Sequence, residues 1–263
     1  MASAKDLQVK PIASADAIAF VKAHHYSGKV AQNSQLHLGV FLQDRLHGVM
    51  QFGPSLDKRK IQRIVSGTLW HEFLELNRMA FDDVLPRNSE SRALSVAWRL
   101  LKKHAPQVKW VVSFADGTQC GDGTIYRAAG FILTGIKENN QIVEFPDGYR
   151  ETRAELTGTS WATIRKVAAR YGADITGGAT MKPFTDVGAK SVPGFMIRYI
   201  YFIDPAYRAR LTVPELPYSE IERRGAGMYK GIKRGTGETD NAAHSNAQTG
   251  GASPTVPLLN HGS

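Results

Sequence analysis

The sequence predicts an α+β fold in which helices flank a mixed central β-sheet, followed by a C-terminal extension and a disordered tail. Three observations carry that prediction. Residues 73–114 read as strand, long helix and strand, residues 36–52 read as a hairpin ahead of them, and from about Gly231 the composition shifts to Gly, Ser, Thr, Asn and Ala. Residues 231–263 hold too few large apolar side chains to offset the entropy of ordering them, so they are expected to be disordered. The core is expected over residues 1–150, with the extension packed on it over 151–230.

Residues 7–12 form the first expected strand. Ser14-Ala15-Asp16-Ala17 then opens a helix that runs to about His24, because Ser and Asp side chains satisfy the free N–H groups of a first turn. Gly28 ends the periodicity. Residues 36–42 and 46–52 make an antiparallel hairpin joined across Gln43-Asp44-Arg45. Lys58-Arg59-Lys60 starts a basic loop or short helix that leads to a strand at 73–81. The helix at 91–103 places Leu94, Ala97, Trp98 and Leu101 at i, i+3, i+4 and i+7, an apolar face for packing on a sheet. A strand at 109–114, a polar turn at Ala115-Asp116-Gly117, a short helix at 125–129 and strands at 131–136 and 142–145 follow. The extension offers a helix at 161–171, a loop at Gly177-Gly178-Ala179 and a final strand at 195–203.

Composition narrows the function. With 263 residues and 42% hydrophobic content the chain can bury a real core. No run approaches the roughly eighteen apolar residues of a membrane span, and residues 1–10 lack the apolar segment of a signal peptide, so the expected compartment is the cytoplasm. The single cysteine, Cys120, rules out an intramolecular disulfide or a Cys-Cys metal knuckle and reads as an incidental thiol. A net charge of +9 and a pI near 9.6 favour a polyanionic partner, because neutralising phosphates releases their counterions. His37, His47, His71 and His104 show no metal-ligand spacing.

Several residues can carry chemistry. His25 and Tyr26 end the first helix, where an imidazole can act as base or ligand and a phenol can donate a hydrogen bond or stack. The plainer alternative is an imidazolium that complements the helix C-terminus. Asn77 and Arg78 lie mid-strand, where a charge is expensive unless it faces a pocket or partner. Arg78 can hold a phosphate or carboxylate in bidentate fashion, or pair with Glu75, Asp82 or Asp83. Ser91 and Arg92 open the long helix, whose N–H groups attract anions, while Asn88 and Ser89 read more simply as N-caps. Asp116 follows a buried strand at the end where such scaffolds place reacting groups, and it also suits an Asx turn before Gly117. Tyr126, ten residues on, reads most plainly as a half-buried core aromatic.

The order of elements from 73 to 135 resembles the GNAT acyltransferases. In that family the loop before the long helix usually reads Arg/Gln-x-x-Gly-x-Gly/Ala and cradles the pyrophosphate of coenzyme A with backbone N–H groups. Here the slots read Arg87-Asn88-Ser89-Glu90-Ser91-Arg92, and Glu90 brings a side chain and a negative charge where glycine lets the backbone approach. Tyr126 falls where many GNAT enzymes keep a tyrosine that protonates a departing thiolate.

Five segments then resemble the Mom DNA-modification proteins of Mu-like bacteriophages over about residues 5–230. They are His25-Tyr26-Ser27-Gly28-Lys29, Gly48-Val49-Met50-Gln51-Phe52-Gly53, Glu75-Leu76-Asn77-Arg78-Met79, Pro86-Arg87-Asn88-Ser89-Glu90-Ser91-Arg92 and Ser113-Phe114-Ala115-Asp116. The resemblance implies a GNAT-like enzyme that converts the exocyclic amine of adenine in double-stranded DNA to a methylcarbamoyl, acetamido-type derivative. That product shields phage DNA from restriction in the cytoplasm of the infected host. Functional positions are implied at His25, Tyr26, Arg78, Ser91, Asp116 and Tyr126. His25, Tyr26, Asp116 and Tyr126 are the implied catalytic set, and Arg78, Ser91, Asn88 and Arg92 the anchors of donor or phosphate. Iron is associated with the family, with His25, Asp116 and Tyr126 as the ligands this chain offers. Lys29, Arg59, Lys60 and Arg63 are expected to hold DNA phosphates near the pocket. The group donor stays open, with acetyl-coenzyme A disfavoured by the missing glycines, and so does the choice between monomer and homodimer. An acyl-coenzyme A N-acetyltransferase acting on a small molecule or protein is the alternative.

Overall fold

In the computed structural model, which describes residues 3–229 and 232–233, a 3-10 turn at Ala4–Asp6 leads into β1 (Gln8–Pro11), α1 (Ser14–His24), β2 (Leu36–Leu42) and β3 (Arg45–Gly53). Next come α2 (Lys58–Gln62), β4 (Phe73–Phe81), α3 (Ser89–His104), β5 (Trp110–Asp116), α4 (Thr124–Ala128) and β6 (Ile132–Asn139). A smaller cluster follows with β7 (Ile142–Glu144), β8 (Arg150–Thr152), α5 (Arg153–Thr157), α6 (Trp161–Tyr171), α7 (Lys182–Asp186) and β9 (Lys190–Ser191). The chain closes with β10 (Gly194–Phe202), a 3-10 helix at Pro205–Arg210, α8 (Ser219–Arg223), β11 (Met228–Tyr229) and β12 (Ile232–Lys233).

The main sheet has seven strands in the order β1-β2-β3-β4-β5-β10-β6. It is mixed, as expected, because β4 and β5 run parallel while the other neighbours are antiparallel. Leu42 pairs with Arg45 across a two-residue turn in which Gln43 and Asp44 both take positive φ, 49° and 60°, the backbone that matches the twist of a tight hairpin. One face of the sheet is covered by α3, whose Ala93, Leu94, Ala97, Trp98 and Leu101 are buried with Met50, Phe52, Leu76 and Val111. Each large apolar side chain buried there contributes about 1.5–3 kcal/mol. On the opposite face, α1 packs Ala17, Phe20 and Val21 on Val49 and Ala80. Further along that face Ile61 of α2 joins Phe73, Trp110 and Val112.

The expected division at residue 150 is not where the structure divides. β10 lies inside the main sheet between β5 and β6, with Ile197, Tyr199 and Ile200 essentially inaccessible, as a strand covered on both faces requires. The separate cluster is built instead from 142–191, where β8, β7 and β9 form a small sheet around Val143, Phe145, Leu156, Ile164 and Phe184. Ile232 and Lys233, expected in the disordered tail, pair with Met228 and Tyr229. The rest of that expectation lies outside the described residues.

Two irregularities in β4 create the site. β4 and β5 pair only over Phe73–Glu75 and Trp110–Val112, and beyond that point they part. Across from β3, Gln51 faces Arg78 and Phe52 faces Leu76, so Asn77 is an extra, bulged residue. A bulge shifts the alternation of side chains by one position. It therefore sends Arg78 to the face that carries α1.

Candidate active site

A cavity of about 410 Å³ occupies the opening between the parted strands. Its walls are His25 and Tyr26 after α1, Leu76 to Met79 of β4, Glu90 of α3, Phe114 to Asp116 of β5, and the segment from Cys120 to Tyr126. Since α1 and α3 cover opposite faces, the cavity joins the two sides of the sheet.

Arg78 is fixed by its own neighbourhood. Its Nε donates to the Lys29 carbonyl at 3.0 Å and its Nη1 to the Asn77 carbonyl at 2.7 Å. Among the described residues no carboxylate lies within ion-pair distance of it, so the expected pairing with Glu75, Asp82 or Asp83 does not form. Asp82 instead takes His47, at 2.8 Å.

His25 is the C-cap of α1, its N–H donating to the Val21 carbonyl. Its ring Nδ1 lies 2.8 Å from the Ser27 hydroxyl and accepts the Ser27 backbone N–H at 3.2 Å. A backbone N–H can only donate, so Nδ1 carries the lone pair and the neutral ring holds its proton on Nε2. Burial, aided by the Arg78 charge, lowers its pKa to about 4. His25 is therefore neutral at pH 7. This overturns the reading of an imidazolium paired with the helix dipole, and in this tautomer the free ring nitrogen, Nε2, donates a hydrogen bond rather than accepting one.

The Tyr26 ring sits 4.3 Å from that of His25 and is half exposed, while burial and then Asp116 and Cys120 raise its phenol above the ordinary range. Asp116 ends β5. Its Oδ1 accepts the Thr118 N–H at 2.9 Å and its Oδ2 the Gln119 side-chain amide at 3.0 Å, so it is both the expected Asx turn and a wall of the cavity. Burial pushes the Tyr126 phenol up to about 12, with a hydrogen bond to Ser113 working against the rise. Its ring packs 5.1 Å from Phe131 and 5.3 Å from Tyr199, as expected of a core aromatic, and the residue also lines the cavity.

The expected anchors are only partly assembled. Asn88 sits at the N-cap position of α3 in left-handed backbone, φ 67°, without a side-chain cap bond. The Ser91 hydroxyl donates back to the Asn88 carbonyl at 3.1 Å, and Arg92 Nε is buried without a partner. None of the three lines the cavity. Glu90 does, and of the four anchors only Arg78 joins it. Lys29 also departs from its expected role, because Glu151 holds its ammonium at 2.5 Å and Glu155 lies at 3.6 Å. Arg59, Lys60 and Arg63 are exposed on and just after α2, which packs at the Phe73 and Trp110 end of the strand pair, away from the cavity.

The donor set does not compose an iron site. His25 Nδ1 is committed to Ser27, both Asp116 oxygens accept hydrogen bonds, and the raised Tyr126 phenol resists becoming a phenolate. Among the described residues no three His, Cys, Asp or Glu side chains gather closely enough to hold a metal ion. Sequence reasoning missed Cys120 as a cavity residue, and burial followed by Asp116 raises its thiol pKa. The signal available was its place in the loop Gly117-Thr118-Gln119-Cys120-Gly121-Asp122-Gly123, whose glycines let the chain fold back over the end of β5.

Residues 6–220 match the Mom protein family. The chain belongs to that family. It is 42% identical over 136 residues to the methylcarbamoylase mom of Escherichia phage Mu, an alignment covering 51% of this chain and 56% of that protein. The chain thus spans little more than half the length of this curated relative. Among solved structures, an N-acetyltransferase from Staphylococcus aureus Mu50 is 9% identical with a TM-score of 0.42, covering 75% of this chain and 99% of the other. The ribosomal-protein-S18-alanine N-acetyltransferase from Escherichia coli is 11% identical with a TM-score of 0.40, covering 75% and 94%.

Proposed function

We propose that this protein is a DNA-modifying transferase that places a methylcarbamoyl group on the exocyclic amine of adenine, protecting phage DNA from restriction in the host cytoplasm. The relative from phage Mu carries the methylcarbamoylase name, and the observation that supports the reading here is the cavity that gathers His25, Tyr26, Arg78, Asp116 and Tyr126. The target amine is paired inside a duplex, so the base must swing out, at a cost of a few kcal/mol in lost stacking. Tyr26, half exposed at the cavity wall, offers it an aromatic face.

The chemistry then has a clear division of labour. The amine nitrogen forms a bond to the donor's methylene carbon as the bond from that carbon to the leaving group breaks. Asp116, an acceptor already held by two hydrogen bonds, takes the amine proton. Tyr126, which keeps its proton at neutral pH, and His25 through Nε2 serve as donors to the leaving group or to the carbonyl oxygen of the donor. Arg78, locked by two carbonyls, adds a fixed positive charge beside them.

The acyl-coenzyme A alternative finds little support, because Glu90 faces the cavity and would repel a pyrophosphate there. The reading is tested by expressing the chain in bacteria and digesting co-resident plasmid with restriction enzymes whose sites contain adenine. Partial resistance is expected. Complete digestion beside abundant folded protein would overturn it.

A further inference from the structure

One exposed aromatic turn outside the cavity is too firmly built to be incidental. Leu69 and Trp70 are 56% and 50% exposed at the tip of a turn just before β4. Glu72, nearly buried, holds the turn from beneath. Its carboxylate accepts the Leu69 N–H at 2.7 Å and the Tyr207 hydroxyl at 2.8 Å, and its own N–H donates to the Leu69 carbonyl at 3.1 Å. Lys58 stacks its ammonium 4.4 Å above the Trp70 ring. The indole is thereby presented to solvent on a braced turn.

Positive charge predominates around this turn, and among the described residues its cations carry no ion pair. Lys58, Arg59, Lys60, Arg63 and Arg210 have no ion-pair partner among the described residues. Other surface cations do find carboxylates, among them Arg150 with Glu144, Arg170 with Asp147, Arg208 with Glu215 and Arg223 with Glu220. The nearby acids are already used, since Asp57 caps α2 and Glu72 is tied to the turn. Arg210 is anchored by its carbonyl to the Ser66 N–H at 2.9 Å, and its guanidinium lies 4.1 Å from the Tyr207 ring.

The turn shares a face with the cavity's outer wall. α2 packs on the same side of the sheet as α1, whose end carries His25 and Tyr26. Along β4, the five steps from Phe73 to Arg78 span about 16 Å. That is roughly five base pairs of duplex at about 3.4 Å per step.

We propose that the Trp70 turn and its surrounding cations form a second DNA contact, gripping duplex that flanks the adenine held in the cavity. Arg59, Lys60, Arg63 and Arg210 take phosphates, and Trp70 lies against a base or sugar in the adjoining groove. The inference rests on the DNA-modification reading for its partner.

The test measures binding of the full chain to a duplex of about thirty base pairs over a range of salt concentrations. A triple variant, Arg59→Gln with Lys60→Gln and Arg63→Gln, should make the slope of log K against log salt less negative by about 2.7, near 0.9 for each phosphate that is no longer neutralised. Trp70→Ala should weaken binding at least about 5-fold, as removing one stacked base does, with the slope unchanged. All four positions are exposed, and melting temperatures close to the parent's would confirm intact folds. Parent-like slope and affinity in folded variants overturn the proposal, as does tighter binding of an RNA duplex that depends on the same residues. Weakened variants beside a parent that never modifies adenine leave this surface standing and remove the proposed activity. Parent-like binding beside normal modification does the reverse.

Discussion

Replacing His25 with glutamine should flatten the acid limb of the protein's stability curve. In the folded chain burial, helped by Arg78, holds the imidazole pKa at about 4, against 6.5 for an exposed histidine. Folding lowers this pKa, so between those two values the unfolded chain binds more protons and stability must rise with pH. The contribution is complete above about pH 6.5 and is lost as the pH falls toward 4. A fall from 6.5 to about 4 corresponds to about 3 kcal/mol, a sizeable part of a typical domain's 5–15 kcal/mol. Urea unfolding at constant ionic strength, followed from pH 8 to 4.5 for parent and His25→Gln, measures the difference. Glutamine can still meet the Ser27 N–H but has no proton to gain, so the parent should lose about 2.5 kcal/mol more than the variant across that range. Parallel curves would refute the argument, because they would mean that His25 is as freely protonated in the folded protein as in the unfolded one.

Three further outcomes follow from the same geometry. Glu151→Gln should reduce DNA modification and lower the melting temperature, since the nearly buried carboxylate holds Lys29, whose carbonyl in turn holds Arg78; modification equal to the parent's would disconnect that clasp from the site. Gly53→Ala should cost about 2–3 kcal/mol in urea unfolding, because its Cβ would lie 2.2 Å from the Asn33 carbonyl and 2.8 Å from Asn77 Oδ1 beside the bulge, and an unchanged midpoint would contradict the tight packing there. Tyr126→Phe should leave the melting temperature near the parent's while lowering modification by roughly 100-fold or more, as expected for a lost proton donor; near-parent product would make Tyr126 a packing residue.

The sequence was most legible where one physical signal acted alone. The apolar stripe of α3 followed from its periodicity, and the β2–β3 hairpin from two apolar runs joined across Gln43-Asp44-Arg45. The site was legible in its members but not in its geometry. His25, Tyr26, Arg78, Asp116 and Tyr126 do meet in one cavity, yet what brings them together is a bulge at Asn77 and the parting of β4 from β5, and neither leaves a local pattern. The tautomer of His25 depends on Ser27 turning back onto Nδ1. Lys29 looked like a phosphate ligand because its partner, Glu151, lies 122 residues away. Asn88, Ser91 and Arg92 looked like anchors because a helix N-terminus attracts anions in general, while here it is Glu90 that reaches the cavity. β10 read as part of an extension because nothing in its sequence says between which strands it inserts.

The account stands or falls on whether adenine is the substrate and Asp116 the group that takes its proton. Mass spectrometry of nucleosides from DNA co-expressed with the parent chain or with Asp116→Asn, each purified and checked for an unchanged melting temperature, addresses both at once. The account predicts a deoxyadenosine heavier by one methylcarbamoyl group with the parent and none with the variant. Unmodified adenine with the folded parent, or equal product from the two proteins, would contradict it.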